Sequence, residues 1–134
     1  MSEKDPEHWL YRLTPEEWLR AAAAELERAT RALEGKQHRA GITQALRAAG
    51  MAWNAVLAAT RDETSYGRSY RDHLDVLARD PTVPEAVRLA AHAIVTAPLN
   101  AAVVTLGRGD LTVAKHAAMI CEHARERVTP TARS

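Results

Sequence analysis

The sequence predicts an all-α fold, an up-and-down bundle of about five helices. Ala and Leu supply most of the apolar side chains, Phe is absent, and Ala has the highest helix propensity of all residues. Apolar residues recur at intervals of three and four, which is the periodicity of one helical face. Runs of β-branched residues of strand length are lacking. The 134 residues are enough for one domain with its own core.

The first helix has a complete start signal. Thr14 is a preferred N-cap residue, Pro15 suits the first helical position, and Glu17 completes a Thr-x-x-Glu capping box. Gly35 is the expected end of the helix. The apolar face comprises Trp18, Ala22, Leu26, Ala29 and Leu33. The charged residues fall mostly elsewhere and indicate a solvated face, made of Glu25, Glu27, Arg28 and Arg31.

A tight turn then leads into a second helix, which begins near residues 38–41, ends near residue 60, and forms an antiparallel hairpin with the first. Ala residues line this helix, so that a neighbouring helix can approach closely. Gly50 inside the pattern costs about 1 kcal/mol relative to Ala, and a close backbone crossing would explain its presence.

A polar connection separates this hairpin from the third and fourth helices. The third helix is expected from about residue 68 to 79, and the pair Asp80-Pro81 ends it. The fourth helix begins near residues 82–85, with Pro84 in its first turn.

Two alternatives remain for the chain around Pro98. Either the fourth helix is kinked there, or a short extra helix covers residues 99–106. Asp110 or Thr112 then caps a last helix that ends near Val128.

The whole chain forms one domain in this interpretation. We expect an N-terminal arm at residues 1–12, a helical-bundle domain at 13–128 and a flexible tail at 129–134. The stretch HWLYRL at 8–13 is too apolar for a free tail. It is therefore expected to dock on the core of its own domain or on a second subunit.

Composition narrows the function classes. The formal net charge of +1 gives no strong attraction to nucleic acids, membranes or acidic substrates. The single cysteine, Cys121, excludes an internal disulfide and fits a reducing cytoplasm. No apolar run approaches the roughly 18 residues of a membrane span. His116 and His123 share a helical face but have no further ligands at suitable spacing, so neither a metal nor another cofactor is expected.

The sequence RSYRDH, from Arg68 to His73, has a spacing that could support chemistry. Residues five apart on a straight helix point about 140° away from each other. Arg68 and His73 could therefore converge only if Arg68 precedes the helix, or if a second subunit supplies the partner.

The same residues also have a purely structural interpretation. Arg68 with Asp72, and Arg71 with Asp75, have the i,i+4 spacing of weak ion pairs on an exposed helical face. His73 would then be a half-buried packing residue. The residues alone leave both interpretations open.

The order of these features resembles the HEPN superfamily of small helical-bundle proteins. The resemblance rests on Trp18 in an Ala- and Leu-rich first helix, on AAGMAWNAVL at 48–57, and on HLDVL at 73–77. It extends over about residues 13–128. Many members of that family are homodimers that act as metal-independent ribonucleases through an Arg-x4-6-His motif. Others bind minimal nucleotidyltransferases or serve as RNA-associated scaffolds.

The resemblance implies roles for particular residues. Arg68 and His73 match the spacing of the ribonuclease motif and would be the catalytic pair. A histidine can exchange a proton with a ribose 2′-hydroxyl, and an arginine can stabilise charge on the phosphate. Tyr66 and Tyr70 could stack on RNA bases, with Arg71 beside them.

Two functions are therefore expected. The first is a non-catalytic interaction or RNA-associated module, homodimeric and HEPN-like, with RNA or a nucleotidyltransferase-type protein as its partner. The alternative is a metal-independent ribonuclease of toxin or defence type. A salt-bridged Arg68 together with a packed His73 would favour the first function, and a basic groove that contains both Arg68 and His73 would favour the second.

Overall fold

All secondary-structure elements of the described residues are helices, which confirms the predicted fold class. The computed structural model describes residues 9–97 and 111–129, and these ranges contain no β-strand. The elements are a 3-10 turn at Trp9–Arg12, α1 at Pro15–Glu34, α2 at His38–Thr60, α3 at Tyr70–Leu77, α4 at Glu85–Val95 and α5 at Thr112–Val128. None of these helices combines the length and apolar character needed to cross a membrane.

The central element is α2. It contacts the 3-10 turn and each of the other four helices, and its contact with α1 is the most extensive in the described chain. Residues 48–58 are buried except for Met51, and half of the buried ones are Ala. Because their side chains are small, neighbouring helices can surround α2 closely.

The ends of α1 follow local sequence signals closely. At the start of α1, the Thr14 hydroxyl accepts a hydrogen bond from the Glu17 amide at 3.1 Å, and the Glu17 carboxylate accepts one from the Thr14 amide at 2.8 Å. This is the predicted capping box. Gly35 ends the helix, also as predicted. The predicted bounds of α2 agree with the observed ones.

The start of α5 differs from the prediction. Leu111 occupies the N-cap position, so Thr112 is the first helical residue and not the cap. The alternative cap, Asp110, and the expected kink or break at Pro98 both lie outside the described residues.

Gly50 is explained by a side chain and not by a crossing helix. A Cβ atom at Gly50 would overlap with the Cβ and ring carbons of Tyr70, the first residue of α3. The expectation of a close approach is therefore correct, but the group that approaches is the base of a tyrosine side chain. This contact fixes the position along α2 at which α3 begins.

Glu25 departs from the expected solvated face of α1. It is only 4% exposed, because it lies on the same side of the helix as Trp18, Ala22 and Ala29. Arg28 lies 2.6 Å and Arg47 3.1 Å from its carboxylate oxygens. The buried charge is thus compensated, and Arg47 connects α1 with α2.

Residues 9–12 of the apolar N-terminal arm dock on their own domain. Leu10 is 1% exposed, and its carbonyl accepts a hydrogen bond of 2.8 Å from the Trp18 indole. The Trp9 ring packs edge-on against Trp18, with 6.3 Å between the ring centroids. This outcome matches one of the two alternatives that the sequence left open. Trp9 and Leu10 therefore belong to the core of the bundle.

Candidate functional site

The Arg68–His73 segment begins with a second capping box. Ser69 is the N-cap of α3, and its hydroxyl accepts a hydrogen bond of 3.0 Å from the Asp72 amide. The Asp72 carboxylate accepts hydrogen bonds from the amides of Arg68 at 3.3 Å and Ser69 at 3.4 Å. These backbone donors, Arg68 first, lower the pKa of Asp72. Asp72 thus caps the helix, and the expected Arg68–Asp72 side-chain pair is not among the ion pairs of the described residues.

His73 lies inside the core. Its exposed fraction is 0%. Its Nδ1 lies 2.8 Å from the carbonyl oxygen of Tyr66, and its Nε2 lies 2.8 Å from the side-chain amide of Asn54 on α2. Both ring nitrogens therefore have partners within the protein. We refer to Asn54, Tyr66 and His73 as the His73 network.

The hydrogen-bonding capacities of this network fix one proton of the His73 ring. A backbone carbonyl only accepts, so Nδ1 of His73 has to carry a proton. In a neutral ring, Nε2 then has no proton and requires a donor. The Asn54 amide supplies one if Nδ2, and not Oδ1, points at the ring. A half-turn of that amide also gives a partner to Nδ2, which otherwise has none among the described residues.

Burial favours this neutral state. Desolvation lowers the pKa of His73 and outweighs the opposing effect of the Tyr66 carbonyl. The ring of Trp9 stacks on the imidazole at a centroid distance of 6.4 Å, and the Tyr70 ring packs edge-on at 6.2 Å. The histidine is thus enclosed by aromatic rings as well as hydrogen-bonded at both ends.

The predicted catalytic pair is divided between core and solvent. Arg68 precedes α3 and is exposed, whereas His73 is fully buried. A general base has to come within hydrogen-bonding distance of the proton that it removes. His73 could do so only after Trp9 or α3 had moved and one of its own hydrogen bonds had been broken. The structural interpretation expected a packing histidine, and the structure buries it completely where half-burial was predicted.

The predicted RNA-binding residues also have partners within the domain. Tyr66 is 8% exposed, its hydroxyl donates to the Asp80 carboxylate, and its ring packs against Trp53 with 5.7 Å between centroids. Burial and the bond to Asp80 raise its pKa. Tyr70 is half-buried over Gly50. A base could stack on Tyr66 only after local opening of the fold.

Arg71 is the most accessible of the predicted RNA contacts. It lies on the exposed side of α3, and its guanidinium donates a hydrogen bond of 3.0 Å to the Val95 carbonyl at the end of α4. This bond takes the place of the expected pairing with Asp75. Arg71 thus connects two helices and still faces solvent.

Other reactive side chains are held in packing roles. Cys121 is partly buried, its Sγ lies 3.9 Å from the Ala48 carbonyl, and desolvation raises its pKa to about 12. The thiolate that a nucleophile requires is therefore scarce at neutral pH. His123 stacks on Trp53 with 6.0 Å between centroids, and burial lowers its pKa. No group of three metal-ligating side chains comes together within residues 9–97 and 111–129.

A shallow depression lies where α1 meets α2. Its volume is about 280 Å³, and it is lined by Arg28, Arg31, Ala32, Gly35, Gln37 and Gln44. Neither Arg68 nor His73 lines it. This depression is therefore not the basic groove that would have favoured a ribonuclease. It lies at the opposite end of α2 from Tyr66.

The sequence did not indicate Asn54 as a functional or structural centre. Its signal was present, since Asn54 is a polar residue within the Ala-rich stretch of α2. Such a residue needs a partner when it is buried. The partner lies 19 residues further along the chain, so local periodicity could not identify it.

Comparison of the chain with models of protein families finds no match. Comparisons with curated proteins and with solved structures find none either. The HEPN resemblance therefore stays a prediction that rests on the residues named above, and function has to be argued from the geometry of the domain.

Proposed function

We propose that this protein is a non-catalytic interaction module built on a HEPN-like helical bundle, and that its partner is a protein. The observation that carries the proposal is the burial of His73 with both ring nitrogens hydrogen-bonded. A histidine in this setting stabilises the fold. It connects α2, the loop before α3 and α3 itself.

The energetic cost of using His73 as a catalyst supports this choice. Withdrawing it from Asn54 and Tyr66 would leave buried polar groups without partners, at about 1–3 kcal/mol for each group. Arg68 offers no compensation, because it lies in solvent before the helix. Burial also favours the neutral ring, which cannot donate a proton from Nε2 to a leaving oxygen.

A protein partner is favoured over RNA by charge and by the placement of the aromatic rings. The net charge of +1 provides little of the electrostatic attraction on which RNA binding depends. Tyr66 is enclosed in the core, and Tyr70 is half-buried over Gly50, so little ring surface is open to a base. A nucleotidyltransferase-type partner, which the HEPN resemblance implies, fits this proposal.

RNA cleavage in EDTA tests the proposal against the ribonuclease alternative. Wild type, Arg68→Ala and Arg79→Ala would be incubated with a mixed-sequence RNA. Both arginines are exposed and flank α3, so both variants should keep the fold, and only Arg68 belongs to the candidate motif. We expect no cleavage by any of the three proteins.

The contrary outcome is well defined. Cleavage by wild type and Arg79→Ala, but not by Arg68→Ala, would establish the ribonuclease and overturn the proposal. Substitution of His73 is unsuitable as the primary test, because loss of a buried residue would reduce folding and activity together.

A further inference from the structure

The exposed side of α1 has a regular charge pattern. We call it the outer face of α1, and all its members are solvent-exposed: Glu16, Arg20, Ala23, Ala24, Glu27 and Arg31. At 100° per residue they fall within a stripe about 100° wide. The stripe lies opposite the buried side of the helix, which includes Trp18 and Ala29. The packing among residues 9–97 and 111–129 does not use this stripe.

The charges on this face are symmetric about the midpoint between Ala23 and Ala24. Arg20 and Glu27 lie equally far from that midpoint on either side, and so do Glu16 and Arg31. Two copies of α1 placed side by side in opposite directions would bring residues at equal distances to the same height. Each Arg20 would then face the Glu27 of the other copy.

The outer pair follows the same rule. Each Glu16 would face the Arg31 of the other copy, so that four oppositely charged pairs would form in all. At the centre, Ala23 and Ala24 have small side chains, which allow the two helix axes to approach closely. A surface that matches itself under a two-fold rotation is what a symmetric homodimer requires.

These charges form no ion pair with any other side chain among the described residues. Glu16 and Arg20, and likewise Glu27 and Arg31, have the i,i+4 spacing of intrahelical ion pairs. The ion pairs of the described residues lie elsewhere, at Glu25 and Glu122. The four side chains therefore remain available for a partner.

We infer that the outer face of α1 binds a second copy of this chain in an antiparallel, two-fold symmetric contact. The inference rests on the proposed function as an interaction module. It names a second copy of the chain as a partner and the outer face of α1 as the surface that binds it. The exposed side of α5 is a weaker candidate. It carries Lys115, Met119 and Glu122, but Glu122 is already paired with Arg125.

The expected dimer is small. The 20 residues of α1 extend over about 30 Å, and one helix pair is at the lower end of the size range of specific interfaces. The contact should therefore be concentration-dependent and weakened by salt, because exposed charges are screened.

Analytical ultracentrifugation at low salt tests the contact. Wild type would be measured from about 1 µM to about 1 mM, a range that covers weak and strong dimers. We expect the average mass to rise from monomer towards dimer. Arg20→Glu and Glu27→Arg should each weaken association at least about tenfold, because each substitution occurs twice in a symmetric dimer.

The charge-swapped double variant R20E/E27R is the decisive control. It restores opposite charges at every facing pair, so association should return to within about threefold of wild type. Lys115→Glu on α5 should leave association unchanged. Circular dichroism would confirm that all variants are folded.

Three results would overturn the inference. Wild type could remain monomeric over the whole range, the single reversals could leave association unchanged, or Lys115→Glu could abolish it. The readout is mass and not RNA cleavage, so this inference and the proposed lack of catalysis can fail independently.

Discussion

At the scale of single residues, His73 shows how one buried polar side chain can organise a small core. Its two hydrogen bonds join α2 to the loop before α3, and Trp9 covers one face of its ring. Burial favours the neutral ring, in which Nδ1 donates to the Tyr66 carbonyl and Nε2 accepts from the Asn54 amide. The contribution of the His73 network to the free energy of unfolding therefore depends on pH.

The sign of this linkage follows from the direction of the pKa shift. Burial lowers the pKa of folded His73, so the unfolded chain takes up its proton first as pH falls. The stabilisation is complete above the unfolded pKa of about 6.5 and is lost as pH falls through the folded pKa. We expect the free energy of unfolding, measured with urea, to decrease from about pH 6.5 downwards.

His73→Asn should reduce this pH dependence, because Asn has no charge to take up. His123 has a pKa shifted in the same direction by burial and makes a second, separate contribution. His123→Asn therefore serves as the matched comparison. An unchanged slope in His73→Asn would show that the folded and unfolded pKa values of His73 do not differ.

At the scale of elements, much of the fold could be predicted because its signals are local. The capping box at Thr14 and the stop at Gly35 lie within one or two turns of the helix ends that they define. Periodicity likewise located α2. The burial of Glu25 was missed because its compensation comes from Arg47 on another helix.

The candidate site was harder to predict for the same reason. The spacing of Arg68 and His73 is visible in the sequence, but the direction of each side chain depends on where α3 starts and on what packs over it. The start is set by Ser69 and Asp72, and the cover by Trp9. Trp9 is 64 positions before His73 in the chain, so no local pattern could connect them.

Gly50 provides a test at the scale of elements. In an exposed helix, replacing Gly by Ala stabilises by about 1 kcal/mol. At Gly50 the added methyl group would overlap with Tyr70 and displace the start of α3, so we expect a loss of about 1–3 kcal/mol instead. Urea denaturation of Gly50→Ala would measure it.

Gly35→Ala is the matched control for that experiment. A Cβ at Gly35 would make ordinary contacts of 3.5 and 3.6 Å with backbone oxygens, and its φ of −85° suits any residue. Its effect should be small. Stabilisation by Gly50→Ala would show that α3 does not lie against Gly50 as described.

At the scale of the whole molecule, residues 9–12 of the N-terminal arm are part of the bundle. Leu10 is among the least exposed side chains, and its carbonyl accepts from Trp18 in α1. Trp9 reaches across to His73 and packs on it. The arm thus connects α1 with the His73 network. When the arm detaches, the domain should lose the hydrogen bond from Trp18 and the packing of Trp9 on His73 together.

Leu10→Ala tests whether the arm belongs to the folding unit. Truncation of a fully buried leucine costs about 2–5 kcal/mol, and we expect a value in this range from thermal or urea denaturation. Leu89→Ala is the control, because Leu89 is 60% exposed and should change the free energy of unfolding by less than about 0.5 kcal/mol. Similar values for both variants would mean that the arm is not docked in solution.

The position of Cys121 has a practical consequence. It is the single cysteine of the chain, and its thiol lies against the Ala48 carbonyl of α2 with a pKa raised to about 12. Because little thiolate is present at neutral pH, a thiol reagent should modify Cys121 slowly in the folded protein and faster when α5 separates from α2. The rate of its alkylation therefore responds to loosening of this helix pair, and the protein carries this kinetic label without any engineering.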